Sequence, residues 1–481
     1  MPDMDANTHY RYISSHAISD RAVYDVEEVV RVNNLRRISM TGSPFRLLVF
    51  GYITVTLAGA ILLSLPVSTV DGKGQAFVDA LFVATSGIST TGLVVVDIGA
   101  FYTLFGQVVL MCVFQIGGIG YMSIILFMAQ MLGMRTSIVT QVVASESLAG
   151  PGLRELGRFF IATIIFTLIF ELAGAVVLSL RWMEEYAFGR AIYLGVFHSI
   201  SAFCTAGFGL FPDSLMRYRD DTVINVTINV VSLAGGLGFF VLHELFLALR
   251  GKRGKNRRIR LSVHTRLVLR TTVLIIGLSS AVLYFSGRRD ASMNAYERIF
   301  VSLFQAISAS TTDGFNTVDI GALNMTGLVI LMVLMFVGAS PGSTGGGIKT
   351  TTMGVILRFM FAQLMGRESA VNLFEREIPA ASVSKAFGIF TWFILIILAD
   401  MVVLTMTEDA PFPGILFEVI SALGNTGLST GITPGLSTAG RIVLTVTMLI
   451  GRVGPLTFGY FIIGRARPLP YRFAEENVFI G

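Results

Sequence analysis

Eight long stretches with almost no charge, at 47–66, 104–134, 159–180, 222–243, 267–287, 322–348, 386–407 and 442–463, constrain this chain more than any other feature. About 20 apolar residues in a helix cover the hydrocarbon of a bilayer. The remaining composition agrees: 53% of residues are hydrophobic, 14% are charged, and mean hydropathy is +0.72, against about 25% charged in ordinary soluble domains. An all-α polytopic membrane protein with eight transmembrane helices is expected. Its first apolar run opens only at Leu47, behind a polar leader carrying Arg31, Arg36 and Arg37, too far in to be a signal peptide that is removed.

Between the two members of each successive pair of runs lies a shorter apolar segment, at 76–92, 191–207, 297–312 and 414–426. Each is too short to cross, and irregular backbone at membrane depth is tolerated only where protein or a wet cavity surrounds it. These segments read as re-entrant pore helices around one central pore. The chain then divides into a leader (1–45), pore repeats at 46–134, 135–250, 251–366 and 367–464, and a tail (465–481). Basic residues concentrate in the segment from Arg250 to Arg266, near Arg135, Arg154 and Arg158, and in the tail at Arg465, Arg467 and Arg472. By the positive-inside rule these parts and both termini face the cytoplasm, and the net charge of +5 is a topology signal rather than a nucleic-acid footprint. Contact with lipid headgroups is the other use such a basic segment has.

The four short segments end alike: Ser89-Thr90-Thr91-Gly92-Leu93, Cys204-Thr205-Ala206-Gly207-Phe208, Thr311-Thr312-Asp313-Gly314-Phe315 and Gly424-Asn425-Thr426-Gly427-Leu428. Their glycines recur at intervals of 115, 107 and 113 residues. Val95-Val96-Asp97-Ile98-Gly99-Ala100 and Asn316-Thr317-Val318-Asp319-Ile320-Gly321-Ala322 extend the likeness between the first and third. A pore that strips water from potassium needs a ring of carbonyl oxygens to replace the hydration shell. Glycine reaches the backbone dihedrals that turn successive carbonyls to one axis and carries no side chain into the lumen. Thr90, Thr91, Gly92, Thr205, Ala206, Gly207, Thr312, Asp313, Gly314, Asn425, Thr426 and Gly427 are therefore the candidate ion-binding residues. A glycine that merely caps a buried helix accounts for one such ending, not for four in register.

Together with Gly342-Ser343-Thr344-Gly345-Gly346-Gly347-Ile348-Lys349-Thr350 and Gly451-Arg452-Val453-Gly454-Pro455, this pattern resembles the Trk/Ktr/HKT superfamily of potassium transporters over residues 45–481. Thr91-Gly92-Leu93-Val94-Val95-Val96-Asp97, Gln115-Ile116-Gly117-Gly118-Ile119-Gly120 and the tail Phe473 to Gly481 are most like its branch of bacterial KtrB membrane subunits. Asp313 departs from the family's small or apolar residue. The resemblance implies potassium uptake across the cytoplasmic membrane, a homodimer with one pore per subunit, and regulation by a separate cytoplasmic ring of RCK-type nucleotide-binding subunits (KtrA-like), received on the surface around Arg250 to Arg266, Arg154 and Arg376. It leaves sodium open as a coupling or regulatory ion. It also implies a gate at 338–350, including Gly342, Ser343, Thr344, Gly345, Gly346, Gly347 and Lys349, with Arg452 holding it.

Glycines crowd the second run of every repeat; close helix packing is the expectation for Gly117-Gly118 and Gly235-Gly236, a loop inside the membrane for 338–347. Glu171 and Asp400 are expected to be structural partners of buried polar groups, and Asp97, Asp213 and Asp319 to lie in outer loops, where an anionic mouth would concentrate cations. Two cysteines, Cys112 and Cys204, are too few for a disulfide framework or a four-cysteine metal site. His243-Glu244 lacks a second histidine four residues on, so no zinc-hydrolase motif exists and no organic cofactor or enzymatic reaction is expected. A sodium-permeable relative and an alternating-access carrier are the alternative readings. In the superfamily that the chain resembles, serine in place of a filter glycine goes with sodium passage, and all four positions here are glycine; four repeats rather than two stand against the second alternative.

Overall fold

The computed structural model describes residues 44–120, 156–250, 261–286, 293–366, 371–455 and 457–459. The leader, the basic residues 251–260, the loop near Arg135 and Arg154, and the tail lie outside the described residues. Four groups of helices follow one another. The first holds α1 (Pro44–Ser64), α2 (Phe77–Ile88), the short α3 (Ile98–Phe101) and α4 (Leu104–Ile119); the second α5 (Leu156–Trp182), α6 (Phe188–Phe203), α7 (Thr222–Leu237) and α8 (Phe239–Arg250). The third holds α9 (Val263–Ser286), α10 (Ala295–Thr311), α11 (Met325–Val337) and α12 (Thr350–Leu364); the fourth α13 (Ala380–Thr407), α14 (Phe412–Gly424) and α15 (Thr438–Val453). One feature falls outside the all-α expectation, a hairpin of β1 (Val371–Leu373) and β2 (Arg376–Ile378), whose turn residue Phe374 is covered by the guanidinium groups of Arg266 and Arg270.

The described residues cover part of the eight expected spans. Among the described residues three helices are long and apolar enough to cross a membrane, within α5, α9 and α13, and α7 with α8 forms a fourth candidate bent by 102°. The helices α4, α7, α11 and α15, one in each group, stop instead at a glycine with positive φ: Gly120 (+82°), Gly238 (+92°), Gly338 (+64°) and Gly454 (+90°). A left-handed residue cannot continue a right-handed helix, and glycine adopts that conformation without a Cβ clash. The break is thus written into the sequence in all four groups, not only at 338–347.

The four groups close on one another. In each, the middle helix (α2, α6, α10, α14) packs against one helix before it and one after it (α1 and α4, α5 and α7, α9 and α11, α13 and α15), and the latter of these packs on the middle helix of the next group, as α4 on α6, α7 on α10, α11 on α14 and α15 back on α2. Small residues allow the approach: a Cβ on Gly117 or Gly235 would strike the backbone carbonyl of Ile88 or Phe203, and one on Gly118 or Gly236 would strike Cys204 or Thr311. The expected close packing of these four glycines is present beside the helix breaks. At the last interface Arg441 of α15 pairs with Asp79 of α2 and donates to the Pro434 carbonyl at 3.0 Å. Both partners of the pair are about four-fifths covered. Arg441→Met should therefore cost about 1 kcal/mol and lower the thermal midpoint in detergent by roughly 1–3 °C. Combining it with Asp79→Asn should add little; fully additive losses would show that the pair does not couple the first and last groups.

Candidate functional site

Aligned on Gly92, Gly207, Gly314 and Gly427, the four middle helices share more than their endings. Ten residues before each glycine stands a buried phenylalanine (Phe82, Phe197, Phe304, Phe417) and six before it a serine (Ser86, Ser201, Ser308, Ser421). The serine carbonyl receives the amide of the residue preceding the glycine each time: Thr91 at 2.7 Å, Ala206 and Asp313 at 2.8 Å, Thr426 at 2.9 Å. Between these two residues the chain turns through a left-handed residue that is not glycine, Thr90 (φ 54°), Thr205 (50°), Thr312 (59°) and Asn425 (52°). Threonine is rare there because its branched Cβ crowds the backbone, at a cost of about 1–3 kcal/mol per residue. The same strained turn is made four times, fully buried in each case. Alignment on the glycines alone would have exposed the phenylalanines and serines; each is too common to stand out singly.

These turns bring the four glycines together. A Cβ added to Gly92 would meet the Ala206 carbonyl oxygen, one on Gly207 that of Asp313, one on Gly314 that of Thr426, and one on Gly427 that of Thr91. All four glycines have positive φ, between 65° and 91°. The contacts run from each group to the next and return to the first, so the carbonyls of Thr91, Ala206, Asp313 and Thr426 form one closed ring with no room for a side chain. Above it opens a cavity of about 250 Å³ lined by the same four glycines with Leu93, Phe208, Asp97 and Asn316 among others. Asp313 contributes its carbonyl to the ring while its side chain, 1% exposed, turns away and accepts a hydrogen bond from Ser232 Oγ at 2.7 Å.

Beneath the ring lies the loop from Gly338 to Lys349, and it touches the strained residue of every group. Thr90 Oγ1 donates to the Thr344 carbonyl at 3.1 Å, Thr205 Oγ1 to Thr344 Oγ1 at 3.1 Å, and the Gly346 amide donates to Thr312 Oγ1 at 3.0 Å. A Cβ on Gly346 would press on Asn425. The loop backbone is tied to the break in α7–α8, with the Thr344 amide on the Gly235 carbonyl at 3.2 Å, the Ser340 amide on that of Gly236 at 3.1 Å and the Phe239 amide on that of Gly342 at 3.0 Å. Ser343 Oγ closes a local turn on the Ser340 carbonyl at 2.6 Å. Arg452 reaches in from α15, donating through one Nη to the Thr344 carbonyl and through the other to that of Gly117. Lys349 folds back so that Nζ donates to the Gly345 carbonyl at 2.6 Å and to that of Gly346 at 3.3 Å. Carbonyls released from helical pairing need such donors, and two cations supply them.

Several other carboxylates among the described residues are engaged by neutral groups or lie in the outer loops. Glu171 accepts from Gln115 Nε2 at 2.9 Å and Asp400 from Thr447 Oγ1 at 2.7 Å, so both have buried polar partners, as expected. Asp97 caps α3 through the Gly99 amide at 2.9 Å, Asp319 accepts from the Gly321 amide at 2.9 Å, and Asp213 pairs with Arg217 at 2.9 Å, which holds that guanidinium pKa above its ordinary value. Of the three, Asp97 lines the cavity over the ring; Asp213 and Asp319 do not. No group of three or more His, Cys, Asp or Glu able to hold a metal occurs among the described residues.

The comparisons with known proteins bear on this arrangement. Residues 44–466 match the family model TrkH, described as a cation transport protein. The chain is 35% identical to the Ktr system potassium uptake protein B of Bacillus subtilis, over 91% of this chain and 97% of that one. It is 36% identical to the protein of the same name from Vibrio alginolyticus, over 93% and 97%. Identity to the potassium/sodium uptake protein NtpJ of Enterococcus hirae is 30%, over 93% and 99%. The crystal structure of the potassium transporter TrkH from Vibrio parahaemolyticus superposes with a TM-score of 0.69 at 21% identity, over 88% of this chain and 86% of that one, a likeness of fold. A helical chain with apolar spans, matched by that model and those relatives over nearly its whole length, belongs to the TrkH cation transport protein family.

Proposed function

We propose that this chain carries potassium ions across the cytoplasmic membrane through one pore built from four repeats, each a span, a re-entrant half-helix and a second span that is broken at its glycine. The observation that carries the reading is the closed ring of Thr91, Ala206, Asp313 and Thr426 carbonyls. Backbone oxygens, held where no side chain can enter, suit a cation that must exchange its water shell for carbonyl dipoles. The names of the two B-protein relatives, both potassium uptake proteins, support potassium as the ion. The third relative, named for potassium and sodium, supports sodium as a second ion.

In this reading the residues Thr90, Thr205, Thr312 and Asn425 form the floor of the filter, and the loop 338–350 with Lys349 and Arg452 obstructs the path below. A homodimer with one pore per subunit and a cytoplasmic ring of nucleotide-binding RCK subunits complete the proposal, with both termini in the cytoplasm. The designation of the relatives as parts of a Ktr system supports a partner subunit. The test is transport by the purified chain in lipid vesicles: radiolabelled rubidium should enter well above protein-free vesicles, with excess potassium suppressing entry and equal sodium leaving it nearly intact. Repeating the assay with an imposed sodium gradient separates coupled from uncoupled transport. Sodium tracer entering as freely as rubidium would replace the potassium filter with a general cation path.

A further inference from the structure

Between the phenylalanine and the serine shared by the four half-helices, one position differs every time. Nine residues before the ring glycine, between the invariant phenylalanine and serine, stand Val83, His198, Gln305 and Glu418. All four are buried, at 0%, 0%, 2% and 1% exposure. Each polar one is bonded to the residue three places beyond its own glycine. The Leu210 amide donates to His198 Nε2 at 3.3 Å, which leaves the proton on Nδ1, where it is donated to the Leu194 carbonyl at 2.8 Å. Gln305 Nε2 donates to Thr317 Oγ1 at 3.2 Å. The Thr430 amide donates to Glu418 Oε1 at 3.0 Å, and the same carboxylate accepts from Ser429 Oγ at 2.6 Å and Thr433 Oγ1 at 2.7 Å. In the first group the corresponding residues are Val83 and Val95, members of one buried apolar cluster.

Burial alone requires that polar groups find partners somewhere. It does not require that the partner sit three residues past the glycine in the second, third and fourth groups, nor that both positions turn apolar together in the first. Relying on the filter reading above, we infer that this position is a lateral tether. His198, Gln305 and Glu418 are positioning residues that hold the outer arm of the second, third and fourth filter segments, graded from apolar packing alone in the first to a multiply bonded carboxylate in the fourth. Ion discrimination depends on how far the carbonyl ring can shrink around a smaller cation. A side chain that never faces the ion then sets it, through the stiffness of the arm. Hydrogen bonds to a carboxylate are roughly twice as strong as neutral ones, so Glu418 is the dominant tether.

The test gives the fourth group the residue of the first. Full-length Glu418→Val, Glu418→Gln and Gln305→Val are compared in vesicles by the ratio of rubidium to sodium tracer uptake, alongside Gly427→Ser. Glu418→Val should lower the ratio about tenfold, Gln305→Val about threefold, and Glu418→Gln, which keeps an acceptor for the Thr430 amide, less than about threefold. A merely structural role would depress both tracers together and leave the ratio unchanged, and that result overturns the inference. Should Glu418→Val fail to reach the membrane, Gln305→Val decides alone: its ratio must fall. If Gly427→Ser itself leaves the ratio intact, the filter reading fails; if Gly427→Ser shifts it and neither tether variant does, the filter stands and the tether is lost.

Discussion

Gly314→Ser is expected to reduce potassium-over-sodium discrimination by about tenfold or more while the protein still reaches the membrane. Gly314 has φ +89°, where L side chains are strained, and its Cβ would lie against the Thr426 carbonyl group and 3.3 Å from Gly207 Cα. Nothing there is a flexible side chain that could swing aside. Relief requires the Thr426 carbonyl to move out of the ring, and the serine hydroxyl then offers a smaller ion an oxygen of its own. Gly92→Ser makes the same demand on the Ala206 carbonyl and should act in the same direction. Rubidium and sodium uptake measured side by side in vesicles reads the effect. Unaltered selectivity in both variants, with normal protein levels, would mean that the ring does not contact the ion.

The second large effect concerns Arg452. It is the donor that joins the loop at Thr344 to the end of α4 at Gly117. A guanidinium holds its proton and presents a planar fork suited to two acceptors. Arg452→Ala removes that brace and one positive charge beside the proposed ion path. Losing even one charge-assisted hydrogen bond, about 1.5 kcal/mol, shifts a closed-to-open equilibrium by about tenfold. Potassium flux should rise several-fold and depend less on any regulatory partner. Deleting residues between Ser340 and Gly346 should do the same, whereas a fall in flux on deletion would make the loop a support of the pore. Flux equal to the parent in a well-folded Arg452→Ala protein would remove the arginine from gating.

Glycine at a fixed interval is the part of this site most legible in the sequence, because neither helix propensity nor apolar packing asks for it at 92, 207, 314 and 427. The loop at 338–347 is legible for the same reason. Other features leave no local trace. Gly120 and Gly238, which break their helices, follow Gly117-Gly118 and Gly235-Gly236, which pack; adjacent glycines serving opposite purposes read identically as letters. Thr90, Thr205 and Thr312 sit in a conformation that threonine disfavours, so propensity points away from what they do. The fate of Asp313 depends on Ser232, 81 residues distant, and only the packing of α7 on α10 supplies that partner. The matched serines and phenylalanines were available all along, visible once the glycines set the register.

A ring assembled from four stretches of a single polypeptide has a consequence for how such a site can vary. In a tetramer of identical subunits every substitution is made fourfold, and an acid at the position of Asp313 would place four carboxyl groups around one axis within low-dielectric surroundings, where like charges repel strongly. Here the four stretches belong to one chain and differ from one another, so one quadrant carries Asp313 where the others carry Thr91, Ala206 and Thr426. Each quadrant can be altered by a single codon change, and the proposed pore can acquire graded asymmetry that a four-copy assembly could reach only by mixing different gene products.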